Sequence, residues 1–231
     1  MSWVDRAKSR AAEAAADRIK NGSIIGLGSG STARHLIRII GKHLNSGKLT
    51  EIKGIPTSIQ TSADAKEAGI SLTTLDEYPE VDISIDGADQ IDNSLDAIKG
   101  GGGALLREKV VASASKEYIL IADQRKLTSR LGEGCPLPIE VLPFSLGAVI
   151  RKIEALGASV KVRISEEKSG PVVTDNGNFI LDATFGFIAQ ARNLEEELKT
   201  IPGVLETGLF LGYADEAYIG TPDGVQKLLR K

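Results

Sequence analysis

The sequence predicts an α/β chain with two parts: a Rossmann-like parallel sheet with helices on both faces, and a smaller ferredoxin-like α+β domain. Three observations predict this. Short apolar runs alternate with helical patterns through the first half. Unusual clusters of glycine and acid fall where those runs end, which is where open α/β sheets place their ligands. After Pro136 and Pro138 the order becomes strand, helix, strand, strand, helix, strand.

Residues 2–20 read as a helix because Val4, Ala7, Ala11, Ala14, Ala15 and Ile19 recur at helical spacing. Asn21-Gly22 ends it with residue types that tolerate a left-handed cap. Ser23–Leu27 is a strand, and Ala33, Leu36, Ile37, Ile40 and Leu44 outline the next helix. Ile52–Ile55 is a strand ended by Pro56-Thr57-Ser58, followed by a helix over 63–68 and strands over 71–75 and 81–85. A glycine run opens the helix Ala104–Ser113, and Tyr118–Ala122 is a further strand. In the second part the strands are Ile139–Leu142 and Ser159–Ile164, with the helix Leu146–Leu156 between them. Val172–Thr174 and Asn178–Ala183 are extended, then a helix over 194–200 leads to a strand over Val204–Phe210. The tail reads as a strand, Ala217–Gly220, then a helix, Val225–Arg230, returning to the first sheet. The expected boundaries are 1–130 with 208–231 for the Rossmann-like catalytic domain, and 131–207 for the ferredoxin-like domain.

Composition excludes several classes. A chain of 231 residues with 28 Lys and Arg against 31 Asp and Glu has no basic run to bind nucleic acid or a membrane surface. The first twenty positions are too charged for a signal peptide, and no apolar stretch is long enough to span a bilayer. One cysteine, Cys135, and two histidines, His35 and His43, rule out a thiolate–imidazole metal cage. The expected setting is a reducing compartment, the cytoplasm.

Three clusters carry chemistry. Gly26–Thr32 joins a strand to a helix, so backbone N–H groups, the helix dipole and the hydroxyls of Ser29, Ser31 and Thr32 suit a phosphate. No Gly-Lys-Ser/Thr follows, so it is not a P-loop. Gly28, Gly30 and Ala33 satisfy a dinucleotide fingerprint, but Pro56-Thr57-Ser58 stands where that reading needs an acid. A tight structural turn also fits the loop. Asp86-Gly87-Ala88-Asp89 puts two carboxylates at a strand end. As an isolated tetrapeptide it reads equally as an Asx turn; its place at the binding edge, followed by Asp92, favours proton handling on hydroxyls. Gly100–Gly103, between Lys99 and Ala104, reads as a backbone nest for an oxyanion with Lys99 as its charge. On spacing alone, Glu108 is a solvated partner of Arg107 or Lys109, and Lys126 is surface charge.

Together, Gly26–Thr32, Asp86–Asp89 and Lys99–Lys109 resemble the signature segments of the A-type ribose-5-phosphate isomerases. The likeness continues through Pro56-Thr57-Ser58, Ile121-Ala122-Asp123 with Lys126, and Pro136–Val141. It extends over Val173–Asn178, Ile201–Val204 and Ile219–Gly224, nearly the whole chain. Gln90 departs from the pattern, which commonly has Glu there. The resemblance implies a cofactor-free, metal-free enzyme interconverting ribose 5-phosphate and ribulose 5-phosphate through a cis-enediolate. It implies that Glu108 is the base moving a proton between C2 and C1. Asp86, Asp89 and Lys99 would bind sugar hydroxyls, assist ring opening and steady the oxyanion. Ser29, Gly30, Ser31, Thr32 and Lys126 would contact the phosphate and adjacent sugar, with Lys8 near the phosphate. Gly87, Ala88, Gly100, Gly101 and Gly102 complete the implied substrate set. A homodimer or homotetramer, joined through 131–207, is expected, with a sugar phosphate as the partner molecule and no nucleic acid or membrane. The alternatives are a non-catalytic sugar-phosphate-binding regulator on the same fold and a nicotinamide-dependent oxidoreductase.

Overall fold

A computed structural model describes residues 2–165 and 169–230. In chain order its first elements are α1 (Trp3–Ala16), β1 (Ile24–Leu27), α2 (Ser31–Asn45), β2 (Lys53–Pro56), α3 (Ile59–Glu67), β3 (Ser71–Leu72) and β4 (Ile83–Gly87). Then come β5 (Gln90–Ile91), β6 (Ala97–Ile98), α4 (Leu105–Ser113), β7 (Tyr118–Asp123), β8 (Leu137–Val141) and α5 (Leu146–Ala155). The rest are β9 (Ser159–Val162), β10 (Phe179–Thr184), α6 (Ala191–Lys199), β11 (Val204–Thr207), β12 (Leu209–Phe210), β13 (Glu216–Gly220) and β14 (Val225–Leu229). Among the described residues no helix is long and apolar enough to cross a membrane.

The chain divides into two compact units. The first comprises Met1–Ala88, Arg107–Leu127 and Gly212–Lys231; the second comprises Asp89–Leu106 and Thr128–Leu211. Residues 89–106 therefore group with the second unit, although the sequence reading assigned them to the first. The reason is strand pairing: β5 and β6 form a hairpin whose other neighbour is β12, not the parallel sheet.

The first unit is a seven-stranded sheet in the order β14-β13-β7-β4-β1-β2-β3, parallel except at β14. β7 is buried at every position, as a strand covered on both faces must be. Ile25, Leu27, Ile85, Ile119 and Ile121 meet Leu36, Ile37 and Ile40 of α2 in one core. Each such side chain stabilises by about 1.5–3 kcal/mol. α1 contributes Ala11, Ala12, Ala15 and Ala16, small enough for its backbone to lie close. It starts at a capping box in which the Asp5 N–H donates to Ser2 Oγ and the Ser2 N–H to Asp5 Oδ2.

The tail corrects the sequence reading: Val225–Leu229 is not a helix but a strand antiparallel to β13. Val225, Leu228 and Leu229 do have helical spacing. The turn before them decides the matter, because the Thr221 N–H donates to the Gly224 carbonyl at 2.8 Å and the Gly224 N–H to Thr221 Oγ1 at 3.0 Å. That reversal lays the tail along the edge of β13.

In the second unit, β8-α5-β9-β10-α6-β11 form a four-stranded antiparallel sheet ordered β11-β8-β10-β9, the split arrangement that the sequence predicts. Leu137, Ile139, Val141, Val149, Ile153, Leu181 and Leu198 fill its core. The single strand expected over 204–210 is two. At Gly208 the N–H donates to the Pro138 carbonyl at 2.7 Å while the carbonyl accepts from the Lys99 N–H at 2.9 Å, so the chain leaves one sheet for another.

Candidate active site

In the first unit the chain runs from β1 outward to β2 and β3, then returns to β4, β7 and β13 on the other side. The carboxyl ends of β1 and β4 therefore flank the point where strand order reverses, the usual ligand crevice of such a sheet. Gly28 directly follows β1, and Asp86 is the last residue but one of β4. Gly28 lies so close to Asp86 that any Cβ there would collide with the carboxylate. This allows Asp86 Oδ1 to accept from the Ser29 N–H at 3.0 Å and the Gly87 N–H at 2.7 Å. The carboxylate is thus fixed against the glycine loop by the loop's own backbone.

Gly30 caps α2 without a side chain, and the first turn contains no acidic residue. The dipole and first-turn N–H groups of α2 are left to attract an anion. Lys8, on α1, donates to Ser31 Oγ at 2.9 Å, which brings a cation to the same helix end. Thr32 is buried in the first turn, and Ala88, after Gly87, is half-buried. Ser29 has a different occupation from its neighbours. Its Oγ shares hydrogen bonds with Thr57 Oγ1 at 2.8 Å, Ser58 Oγ at 2.9 Å and Thr61 Oγ1 at 3.1 Å. Thr57 Oγ1 also donates to the Leu27 carbonyl and Thr61 Oγ1 to the Gly28 carbonyl. This hydroxyl cluster pins the glycine loop from below.

β7 ends in Asp123, which is fully buried. Burial pushes its carboxyl up, but hydrogen bonds from the Arg125 side chain and N–H outweigh this and hold it below the usual carboxylate range. Lys126 follows, half-buried on a one-turn 3-10 helix, Gln124–Lys126. Glu108, on the first turn of α4, is buried with Lys109 beside it. It is not the solvated surface acid that spacing alone suggested.

The remaining residues lie in the second unit. Asp89 Oδ2 accepts from the Gly101 N–H at 2.7 Å, so the second aspartate is tied to the glycine run. Lys99 is buried, with its Nζ 5.3 Å from the centre of the Phe210 ring. Gly100, at φ +106°, bends the chain into a turn closed by the Gly103 N–H on the Gly100 carbonyl at 2.9 Å. Gly101 and Gly102 are exposed at its tip. Asp92, by contrast, has a structural task. Its Oδ1 accepts from the N–H groups of Ser94 and Asp96, closing the β5–β6 turn. Gln90 is structural as well: Nε2 donates to the Glu133 carbonyl and Oε1 accepts from the Gly132 N–H, both at 2.8 Å. A glutamate could make only the second bond, which accounts for the amide here. Among the described residues, no group of three His, Cys, Asp or Glu side chains is placed to hold a metal ion.

Comparison with known proteins identifies the family. Residues 53–224 match the family model for ribose 5-phosphate isomerase A (phosphoriboisomerase A). The chain belongs to that family. A ribose-5-phosphate isomerase A from Methanothermobacter thermautotrophicus is 48% identical, with 96% of this chain and 97% of the relative covered. One from Trichodesmium erythraeum is 45% identical over 96% of this chain and 94% of its own length. A D-ribose-5-phosphate isomerase solved in complex with phospho-erythronic acid superposes with a TM-score of 0.97 at 41% identity, both chains covered completely. The Methanocaldococcus jannaschii isomerase gives 0.93 at 42% identity, with 97% of this chain and 98% of that chain covered. Family membership settles the fold and the class of reaction. Sequence reasoning reads Thr57 and Ser58 as the end of a strand and as part of the family resemblance, gives them no place in the site, and passes over Thr61. The signals for Thr57 and Ser58 are that resemblance and a hydroxyl-rich segment standing where a dinucleotide site would need an acid.

Proposed function

We propose that this chain interconverts D-ribose 5-phosphate and D-ribulose 5-phosphate by moving one proton between C2 and C1 through a cis-enediolate. As a member of its family it is an aldose–ketose isomerase of ribose 5-phosphate. The residue roles rest chiefly on one observation. Asp86, Lys99 and Glu108 are only 1%, 2% and 5% exposed, although charged side chains are almost never buried without a reason. In the roles assigned, Glu108 removes the C2 proton and returns it to C1. Lys99 and the N–H groups of Gly100 and Gly102 stabilise the negative oxygen that develops meanwhile, while the Gly101 N–H holds Asp89. Asp86, with Gly87 and Ala88, and Asp89 accept hydrogen bonds from sugar hydroxyls and carry the ring-opening proton. The α2 terminus, with Ser29 to Thr32, Lys8 and Lys126, takes the phosphate. A phosphorylated four-carbon acid such as phospho-erythronic acid presents the same two anionic ends, so it should compete with substrate here. The second unit exposes Leu142, Phe144 and Leu205, which supports self-association through that unit; sedimentation of the purified chain reads it directly.

The test is a coupled assay on ribose 5-phosphate. Glu108→Gln keeps the shape but cannot accept a proton, so kcat should fall about 10²–10⁴-fold with KM nearly unchanged. A Gln variant with near-normal kcat would move the base elsewhere, to Asp86 or Asp89.

A further inference from the structure

The four glycines at 100–103 pose a physical problem. A backbone nest works only if its N–H groups are already aimed, yet glycine is the residue least able to hold an orientation. Something outside the run must fix it. The second unit provides Arg163, which follows β9 directly. Its N–H donates to the Ile180 carbonyl at 2.9 Å, and its carbonyl accepts from the Val172 N–H at 2.8 Å, so its main chain is held on both sides. Its side chain is mostly buried, and all three guanidinium nitrogens are engaged. Nε donates to Asp182 Oδ2 at 2.9 Å and Nη2 to Asp182 Oδ1. Nη1 donates to the carbonyls of Gly100 at 2.7 Å and Gly101 at 3.0 Å.

In a planar trans peptide the C=O and the next N–H point in opposite directions. A guanidinium that fixes the Gly100 and Gly101 carbonyls therefore aims the Gly101 and Gly102 N–H groups away from itself. The Gly101 N–H meets Asp89 Oδ2, while the Gly102 N–H has no partner among the described residues. The cation on the carbonyl side also polarises both peptides, which strengthens their N–H groups as donors. Asp182, on β10, holds the planar fork in place by a two-point ion pair that a lysine could not reproduce.

We propose that Arg163, anchored by Asp182, is a positioning residue for the isomerase: it orients and polarises the Gly102 peptide for the enediolate oxyanion and the Gly101 peptide for its bond to Asp89. This rests on the isomerase reading, and turnover of ribose 5-phosphate by the unmodified protein tests that reading separately. Given turnover, Arg163→Lys should lower kcat about 10–100-fold, somewhat less than deleting an oxyanion donor outright, with KM changed less than about threefold. Asp182→Asn should lower kcat in the same direction, and adding it to Arg163→Lys should cost little more, because the two act as one unit. Methylguanidine should restore part of the kcat of Arg163→Ala. The amide proton resonances of Gly101 and Gly102 should move upfield in Arg163→Lys, a readout independent of activity and of any variant that fails to fold. A Lys variant with wild-type kcat, or unchanged Gly101 and Gly102 resonances, overturns the proposal. So does a loss of activity that merely follows a lowered melting temperature.

Discussion

Gly28→Ala should damage both stability and catalysis, and the size of the effect follows from the contact with Asp86. A Cβ at Gly28 would stand 2.5 Å from the Asp86 Cα, with the carboxyl carbon and Oδ1 closer still. Carbon atoms rest at about 3.5–4.0 Å, so the ends of β1 and β4 must part by roughly 1 Å. The obstacle includes backbone, so no rotamer change relieves it. Two hydrogen bonds span this gap: the Gly28 N–H on the Ile85 carbonyl at 3.1 Å and the Ser29 N–H on Asp86 Oδ1 at 3.0 Å. Lengthening either by that amount breaks it. Overpacking costs about 1–3 kcal/mol and each lost hydrogen bond about 1 kcal/mol, giving about 3–5 kcal/mol in denaturant unfolding. A 1 Å displacement of a group that binds substrate is worth about 10²-fold in turnover, so kcat should fall by that order in the coupled assay. Gly147→Ala is the control, since a Cβ there meets nothing within 4 Å and the residue lies in α5. It should stabilise by about 0.5–1 kcal/mol with kcat unaltered. If Gly28→Ala unfolds within 1 kcal/mol of wild type and turns over within about threefold, the close approach is not what positions Asp86.

Three further outcomes follow from single side chains. Glu140 is fully buried on β8, and its Oε1 accepts from Thr174 Oγ1, Asn176 Nδ2 and Asn178 Nδ2 at 2.9, 3.1 and 2.8 Å. Glu140→Ala strands the two buried donors and should cost about 2–4 kcal/mol, whereas Glu140→Gln, which keeps the acceptor, should stay within about 1 kcal/mol by the same unfolding measurement. Gln90→Glu loses its donation to Glu133 and sets a carboxylate against that carbonyl, for about 1–2 kcal/mol; kcat should hold within about threefold, and a larger loss would place Gln90 in the site. Burial, with Arg38 nearby, lowers the His35 pKa below its ordinary 6.5, and burial with Lys48 nearby lowers that of His43. Between the folded and unfolded values the unfolded chain binds more protons, so stability is complete above about pH 6.5 and declines as pH falls. His35→Gln should flatten part of that slope in denaturant titrations from about pH 8 to 5; an unchanged slope would assign it to other groups.

What the sequence made legible was local. Gly26–Thr32, Asp86–Asp89 and Lys99–Gly103 each concentrate their chemistry in a few consecutive residues at a strand or helix end, so period and turn chemistry locate them. The split βαββαβ order was readable for the same reason: each strand and helix carries its own pattern. Periodicity failed where the deciding contact was remote or the element too short. Two-residue strands such as β5 and β6 have no period, and only their pairing with β12 shows that 89–106 leaves the parallel sheet. The tail had a helical pattern and a hairpin turn together, and the turn won because β13 offered an edge. Asp92 misled in the opposite direction, since this acid, close in sequence to Asp86 and Asp89, serves a backbone turn.

The site residues that escaped sequence reading share a physical origin. A loop rich in glycine gives up the local restraint that side chains provide, so the restraint must come from elsewhere in the fold. For the loop after β1 it comes from Thr57, Ser58 and Thr61, which reach Ser29 and the Leu27 and Gly28 carbonyls. For Gly100–Gly103 it comes from Asp89 on the N–H side and Arg163 on the carbonyl side. In both cases the glycine segment brings backbone N–H groups into the proposed site, and ordinary polar side chains far along the chain supply the rigidity. A motif marks the first half of that division and is silent on the second. Glycine-to-alanine changes and changes at Thr57, Thr61 or Arg163 should therefore fail in different ways. The former obstruct the loop, while the latter leave its shape available but its orientation unheld, and only the latter should recover when an added small molecule replaces the missing contact.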